Sequence, residues 1–396
     1  MRIVLISEVF ARNMGYLENL LPKYLARLGA EVDVIASALP PEYRRDPLRE
    51  TYRGFQQAGA PGSAETLDGF RLHVLAHAPV FGHVRLLGLG RKLAELRPDI
   101  VQIMTPIGWI AIDAALHNTR LGYRLFSGCH YHASVFPLAQ KETSLLTPER
   151  LRCLVERSLH GRAVSWFTER YYAISADCAE IAARFFGVPR RKLEICPLGV
   201  DTEVFHPIAN RDEVVARRDL RARLGFADDE VVCVYSGRFT EDKNPLLLAF
   251  AVAELTAAGG NFRALFIGHG PQAEKILSAR GSVVHPFVPV GELGALYRAA
   301  DIAIWPAQES MSMLDAAACG LPVIANHRMG APERLQGSGL TYRLGDVEDL
   351  REKIRSLAHA KAREKLGACG ARRMKDEYGW PAIATRRLAD YAAALE

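Results

Sequence analysis

Two cations five residues apart, Arg238 and Lys243, stand in Gly237-Arg-Phe-Thr-Glu-Asp-Lys-Asn-Pro245. The segment follows a continuous apolar run, Val231–Ser236, and precedes the apolar stretch Leu246–Leu255. Both charges therefore fall between the carboxyl end of an expected strand and the start of an expected helix, where free N–H groups and the helix dipole add to them. Such a pair suits a dianionic phosphate; two solvated surface cations would leave the same trace. A second anion site is offered by Glu309-Ser-Met-Ser312, which follows the run Ile302–Trp305. Ser310 or Ser312 is expected to cap a helix that runs to Cys319 and stops at Gly320. Asp315 lies inside that helix, placed to accept hydrogen bonds from ribose hydroxyls, with a solvated helix acid as the alternative. Gly268 and Gly270, in Phe266-Ile-Gly-His-Gly-Pro271, form a turn where backbone can approach a ligand closely, although such turns also serve packing. In the first half, His130 and His132 lie in Gly128-Cys-His-Tyr-His-Ala-Ser134, after the run Tyr123–Ser127. Alternate residues of an extended segment face opposite ways, so only one of the two can point at a ligand.

The elements that must position these residues alternate from end to end. Ile3–Ile6 reads as a buried strand, and Leu17, Leu21, Leu25 and Leu28 mark a helix face that contains Pro22 and ends at Gly29. Further strands are expected at Val32–Ala36, Ile100–Met104, Tyr123–Ser127 and Tyr172–Ser175. A second block has them at Val231–Ser236, Ala264–Gly268, Ile302–Trp305 and Val323–Asn326. This rhythm predicts parallel sheets covered on both faces: an α/β chain of two Rossmann-like, doubly wound domains facing a cleft. The stretch Leu39–Gly69, with four prolines in its first part and middle, breaks the rhythm and reads as a long surface loop. The segment 197–207 reads as a linker between a first domain, 1–196, and a second, 208–380.

The 396 residues suit two domains, and 49% apolar with 24% charged residues is ordinary globular composition. No apolar run approaches the ~20 residues of a spanning helix. The run Met1–Ser7, closed by Glu8, is too short for a signal peptide. Seven scattered cysteines without a Cys-x-x-Cys argue against a disulfide framework or a zinc ribbon. A cytoplasmic protein is expected, or one at the inner face of the membrane. Residues 1–200 hold 25 Lys+Arg against 19 Asp+Glu, so the net +5 of the chain sits in its first half. That half could meet an anionic membrane surface peripherally or bind phosphate-bearing molecules. No dense basic run with interleaved aromatics is present, so nucleic acid is not expected. A dinucleotide dehydrogenase is set aside, because Gly-x-Gly-x-x-Gly is absent after Ile3–Ser7.

The chain resembles the retaining glycosyltransferases of family 4, on the GT-B fold, over nearly its whole length. The resemblance is carried by Met14-Gly-Tyr16, Cys129-His-Tyr131, Leu198-Gly-Val-Asp201, Gly237-Arg238…Lys243 and Gly268-His-Gly-Pro271. It continues through Ala300-Asp301, Ala318-Cys-Gly-Leu-Pro-Val-Ile324, Gly330-Ala-Pro-Glu333 and Trp380. It implies that Arg238 and Lys243 hold the diphosphate of a nucleotide-sugar donor, a UDP-sugar among the candidates, and that Gly15 lets the first loop approach that diphosphate. The ribose-binding Glu of the family falls on Asp315. The family's other Glu, seven residues between, falls on Ala307. Its contact is expected either from Glu309 through a shortened loop or, as favoured here, from Ser310, Met311 and Ser312 with their backbone amides. His130 fits the family histidine beside the donor sugar, with His132 as the alternative. The resemblance also implies that the C-terminal helix, 381–396, crosses back onto the first domain. The reaction implied is transfer of a hexose-type sugar with retention, by front-face attack, with no metal or other cofactor. The acceptor, whether sugar, lipid-linked or small molecule, is left open. The competing readings are a nucleotide-sugar epimerase on the same fold and a nucleotide-sugar-binding protein with weakened catalysis.

Overall fold

The structure, a computed structural model, describes residues 1–40, 57–81, 83–133, 136–140 and 147–396. The described residues form two compact units, one of 1–40, 57–199 and 380–396, the other of 200–379.

Unit 1 is built on an eight-stranded sheet. Its strands are β1 (Arg2–Ile6), β2 (Glu31–Ser37), β3 (Ala64–Leu67), β4 (Phe70–Leu75), β7 (Ile100–Ile103), β8 (Arg124–Cys129), β9 (Thr168–Ala173) and β10 (Leu193–Ile195). A separate hairpin pairs β5 (His77–Val80) with β6 (His83–Leu86). The sheet order is β10-β9-β8-β7-β1-β2-β4-β3, and every pairing is parallel except β3 with β4. Ile3, Leu5, Val34, Ile100, Val101 and Leu125 are fully buried, as the continuous β-branched and Leu runs of a sheet covered on both faces require. The chain order reverses between β1 and β7, so the loops after these two strands diverge and leave a crevice at their carboxyl ends.

One expectation is corrected here. Within Leu39–Gly69, residues 64–67 are the strand β3, not loop; residues 41–56 lie outside the described residues. The signal was Asp68-Gly69, both with positive φ (45° and 89°), the conformation that a two-residue hairpin turn demands.

Helix α1 (Leu17–Arg27) buries Leu17, Leu21 and Leu25. Pro22 sits inside it and removes the N–H that would have reached the carbonyl of Glu18. Helices α2 (Trp109–Leu121) and α3 (Ala176–Phe185) follow β7 and β9. The C-terminal helix, Trp380–Ala393, belongs to this unit. Trp380, Ile383, Ala384 and Tyr391 join one core with Leu5, Leu21 and Phe126. Its Arg387 is buried, with the guanidinium 3.4 Å from the Tyr172 ring centroid and bonded to Gln102 Oε1 at 3.2 Å. A Cβ on Gly199 would lie 2.7 Å from the Trp380 indole, so only glycine lets the chain pass there.

Unit 2 carries six parallel strands in the order β13-β12-β11-β14-β15-β16: β11 (Val231–Ser236), β12 (Phe262–Ile267), β13 (Ser282–His285), β14 (Ile302–Trp305), β15 (Val323–Asn326) and β16 (Gly339–Tyr342). Here the order reverses between β11 and β14. Helices α4 (Arg211–Arg223), α5 (Pro245–Ala257), α6 (Val290–Ala299) and α7 (Ser312–Ala318) cover it. Asp301, just before β14, accepts from Arg217 and Arg221 and from the Val232 N–H, which ties α4 to the sheet. The segment expected as a linker is divided: the chain passes from one unit to the other at Gly199/Val200, and Val200 and Phe205 are core residues of unit 2. All seven cysteines are free, and no helix among the described residues is long and apolar enough to cross a membrane.

Candidate functional site

In unit 2 the residues that could do chemistry gather at the switch point between β11 and β14. Gly237 leaves β11 with φ +145°, and a Cβ there would lie 2.8 Å from the Tyr235 hydroxyl. The loop that follows is fixed by its own backbone. The Tyr235 hydroxyl donates to the Arg238 carbonyl at 2.9 Å, and the Lys243 N–H donates to Thr240 O at 3.1 Å. Arg238 is partly exposed and lies 3.6 Å from Asp242. Lys243 is partly buried, and its ammonium makes no ion pair or hydrogen bond among the described residues. Burial pushes its pKa down, Arg238 pushes the same way, and Asp242 and Glu309 oppose them. A cation left unpaired where desolvation penalises its charge gains most from an anionic ligand.

Gly268 and Gly270 have close backbone neighbours within this unit. A Cβ on Gly268 would fall 1.9 Å from the Gly237 carbonyl oxygen, and one on Gly270 2.6 Å from that of Phe239. The close approach they permit is to the Arg238 loop. The two loops are stitched by Phe239 N–H to His269 O at 2.9 Å and Gln272 N–H to Phe239 O at 3.0 Å. These glycines therefore shape the backbone that carries Arg238.

The serine cap is also corrected. Helix α7 starts at Ser312 with Met311 as its cap residue, and no side chain caps it. Ser310 Oγ instead accepts from the Ser312 N–H at 3.3 Å, and Ser312 lies beside Tyr297, whose hydroxyl pairs with Ser236 Oγ at 2.6 Å. The helix ends as expected, with Gly320 at φ +83°. Glu309 Oε1 accepts from the Gly330 N–H at 3.1 Å, and its charge reaches Lys243. Glu309 thus faces Lys243 electrostatically. Asp315 sits on α7, partly buried as a residue, and its carboxyl accepts no hydrogen bond among the described residues. Burial raises its pKa to about 8, and the charge of Asp201 adds to this.

In unit 1 the carboxyl ends of β1, β7 and β8 enclose a cavity of about 310 Å³. Ser7, Glu8, Glu18, Thr105, Trp109 and His130 are among the residues that line it. His130 Nε2 is buried without a hydrogen-bond partner among the described residues. Burial, helped by the charges of Arg387 and His132, pulls the His130 pKa down to about 4, so the ring is neutral near pH 7. His132 goes elsewhere: its Nδ1 lies 3.2 Å from Asp177, which also accepts from the Ala133 N–H at 2.9 Å. Burial would raise the Asp177 carboxyl, but hydrogen bonds from His132, Ser175 and the Ala133 N–H outweigh it and hold the pKa well below the usual range. Together with Cys178 these side chains form a His-Asp-Cys group with atoms within 4.8 Å, a cluster that the sequence reading did not foresee. Its hydrogen bonds clasp the segment that presents His130. Gly15, with φ +68°, lies in the loop before α1. That loop is tied down by Asn19, which accepts from the Tyr16 N–H and donates to Ala11 O. Ser134, at the end of the segment singled out in the sequence, lies outside the described residues.

Glu18 was missed in the sequence, where it reads as one more polar residue of an amphipathic helix. Burial lifts its pKa to about 7. Its position four residues before Pro22, in the first turn of a helix that follows β1, was the available signal.

Comparison with known proteins agrees with this architecture. Residues 230–360 match the model described as glycosyl transferases group 1, and residues 20–204 match that of glycosyltransferase family 4. A D-inositol 3-phosphate glycosyltransferase of Xylanimonas cellulosilytica is 30% identical over 410 residues, covering 95% of this chain and 90% of the relative. Sulfoquinovosyl transferase SQD2 of Arabidopsis thaliana is 27% identical over 317 residues, covering 77% of this chain; the chain spans 58% of that relative's length. Among solved structures, HepE of Anabaena in complex with UDP-glucose superposes with a TM-score of 0.67 at 15% identity, covering 99% of this chain and 100% of the other. The fold is that of the GT-B enzymes.

Proposed function

Because the chain belongs to the family 4, or group 1, glycosyltransferases, we propose that it transfers a hexose-type sugar from a nucleoside diphosphate sugar to a hydroxyl acceptor with retention. The observation that carries this reading is the Lys243 ammonium, partly buried and unpaired among the described residues beside Arg238 at the switch point of unit 2. Arg238 and Lys243 hold the donor diphosphate, and Asp315 receives the ribose hydroxyls. A solved neighbour of the same fold contains UDP-glucose, which supports a uridine nucleotide among the candidates.

The step is a front-face substitution. The bond between the anomeric carbon and the diphosphate oxygen breaks, and the acceptor oxygen bonds to the same face of that carbon. The acceptor proton passes to the departing diphosphate oxygen. Charge grows on that oxygen as the bond breaks, so Arg238 and Lys243 stabilise the transition state more than the bound donor. Neutral His130 offers a hydrogen bond to the sugar as its ring becomes cationic. The side chains supply the positive charge, and no metal is invoked. A thermal-shift series tests the donor site: nucleoside diphosphates should raise the melting temperature where equal sulfate does not, because they bind the folded state alone. An equal shift with sulfate would count against a nucleotide site.

A further inference from the structure

Within unit 1, His132 comes from the segment after β8, and Asp177 and Cys178 come from the first turn of α3, 45 and 46 residues further along the chain. One nitrogen, His132 Nδ1, faces three electron-rich atoms: both Asp177 oxygens at 3.2 Å and Cys178 Sγ at 3.5 Å. A single N–H serves three acceptors poorly, and 3.2 Å is long against the ~2.7–2.9 Å of a charge-assisted bond. The same chain shows the ordinary histidine–carboxylate bond elsewhere, with His73 Nε2 2.6 Å from Asp33. The spacing of the three atoms fits a metal ion better. With bonds of roughly 2.0–2.2 Å to nitrogen and oxygen and about 2.3 Å to sulfur, tetrahedral ligands stand about 3.3 Å apart for N and O and about 3.5 Å for N and S. The observed separations are 3.2 and 3.5 Å, and the three ligand atoms all lie within 4.8 Å of one another.

The surroundings are those of a ligand set. The Ser175 hydroxyl and the Ala133 N–H donate to the two Asp177 oxygens, the outer support that orients a metal-binding carboxylate. Cys178 stands where the dipole of α3 favours a thiolate, and Cys129 Sγ donates to its carbonyl at 3.5 Å. Its sulfur is buried, while the His132 and Asp177 side chains are each 18% exposed. Sulfur thus forms the floor, and the other two ligands form a rim that an ion can reach from solvent.

We infer that this group binds one thiophilic divalent cation of the zinc class, which clips the segment after β8 to the start of α3. Imidazole, carboxylate and thiolate together suit Zn²⁺ or Co²⁺, whereas an oxygen-seeking ion such as Mg²⁺ leaves the nitrogen and the sulfur unused. On binding, the Cys178 thiol gives its proton to solvent, and His132 turns its Nδ1 lone pair to the ion with the ring proton on Nε2. Thiolate and carboxylate then balance the charge of the ion. The site does not depend on the transferase reading. In metal-free protein the His132–Asp177 hydrogen bond holds the two segments.

The test uses the full chain, kept reduced, stripped with a chelator and dialysed. Zn²⁺ should bind at one equivalent and raise the melting temperature, and Mg²⁺ should not. Co²⁺ should give the near-ultraviolet thiolate-to-cobalt absorption and the strong visible bands of a four-coordinate ion. Cys178→Ala should abolish the near-ultraviolet band and, like His132→Ala and Asp177→Asn, weaken Zn²⁺ binding at least about tenfold. Cys369→Ser, at the cysteine that is only partly buried, should leave both readouts unchanged. No binding of Zn²⁺ or Co²⁺, a cobalt spectrum without the thiolate band, an equal thermal shift with Mg²⁺, or parental affinity in Cys178→Ala and His132→Ala would each overturn the site. If the melting curve of Cys178→Ala shows that it does not fold, the parent's cobalt spectrum and the rim variant His132→Ala decide by the same criteria.

Discussion

At the end of β11 the switch point of unit 2 carries Arg238 and Lys243 on a loop held by backbone hydrogen bonds, whereas at the ends of β1 and β7 the switch point of unit 1 carries Glu8, Glu18 and a neutral His130. The two sheets have the same kind of topology, and each presents its loops where strand order reverses. The backbone therefore decides where a ligand can sit, and a few side chains decide which charge it can bear. In unit 2 the cation is destabilised by burial and waits for an anion. In unit 1 the Glu18 carboxylate is destabilised by burial and favours a hydrogen-bond donor.

The largest break in this contrast should come from the cations. Arg238→Ala or Lys243→Ala should lower turnover by at least about tenfold to a hundredfold beyond any loss of donor affinity, since each charge-assisted bond is worth roughly 1.5–3 kcal/mol. The double variant should lose less than the product of the two factors, because the residues share one anion. Arg238→Lys should recover only part, a planar fork having become a point charge. Steady-state kinetics with direct donor binding would check all three, and full activity in both single variants would remove the diphosphate from this loop.

His130→Ala should be next, with kcat down roughly tenfold or more and donor Kd nearly unchanged, because its contact strengthens only in the transition state. A loss confined to donor Kd would mean that His130 binds the ground state instead.

Asp315→Asn should act on stability. Folded Asp315 keeps its proton to about pH 8, while the unfolded chain releases it near the ordinary 3.8. The folded state therefore holds more protons across that window, and stability falls as pH rises through it. The variant should match the parent near pH 4 and exceed it above about pH 8, by on the order of 1–3 kcal/mol without nucleotide. Chemical denaturation at several pH values measures this. A gap that is constant with pH would show that the carboxyl is not held protonated by the fold.

The smallest effect is expected at the clasp. His132→Ala should lower stability by about 1 kcal/mol, the worth of a hydrogen bond to a charged partner left in water-accessible surroundings, and should change kcat less than His130→Ala does. The reverse ranking of the two histidines would exchange their roles.

Much of the frame was legible because it is written in local runs. Val231–Ser236, Ile302–Trp305 and Val323–Asn326 are strands over the full ranges expected, since continuous apolar segments bounded by turn residues have few other uses in a parallel sheet. Strand β9 begins at Thr168, earlier than expected, because Thr168-Glu-Arg170 looks polar in isolation. In the fold, Arg170 finds Glu194 and Asp390. The position of Arg238 and Lys243 on the loop between β11 and α5 was readable from the local runs. Glu18 and the Asp177 clasp were not, because their meaning lies in burial and in partners more than 40 residues away along the chain. The serine cap failed for a related reason. Tyr297, on a different helix, lies beside the Ser312 hydroxyl, and no local pattern announces that.

The central claim is that the Arg238–Lys243 loop of unit 2 is the seat of a nucleoside diphosphate. Calorimetric titration of the full chain with UDP and GDP, in parent and Lys243→Ala protein at two salt concentrations, tests it most directly. At least one nucleotide should bind the parent, at least tenfold more tightly than it binds the variant, which is about 1.4 kcal/mol. Added salt should weaken parent binding more than variant binding. Equal dissociation constants for parent and variant, within twofold at both salt concentrations, would contradict the claim.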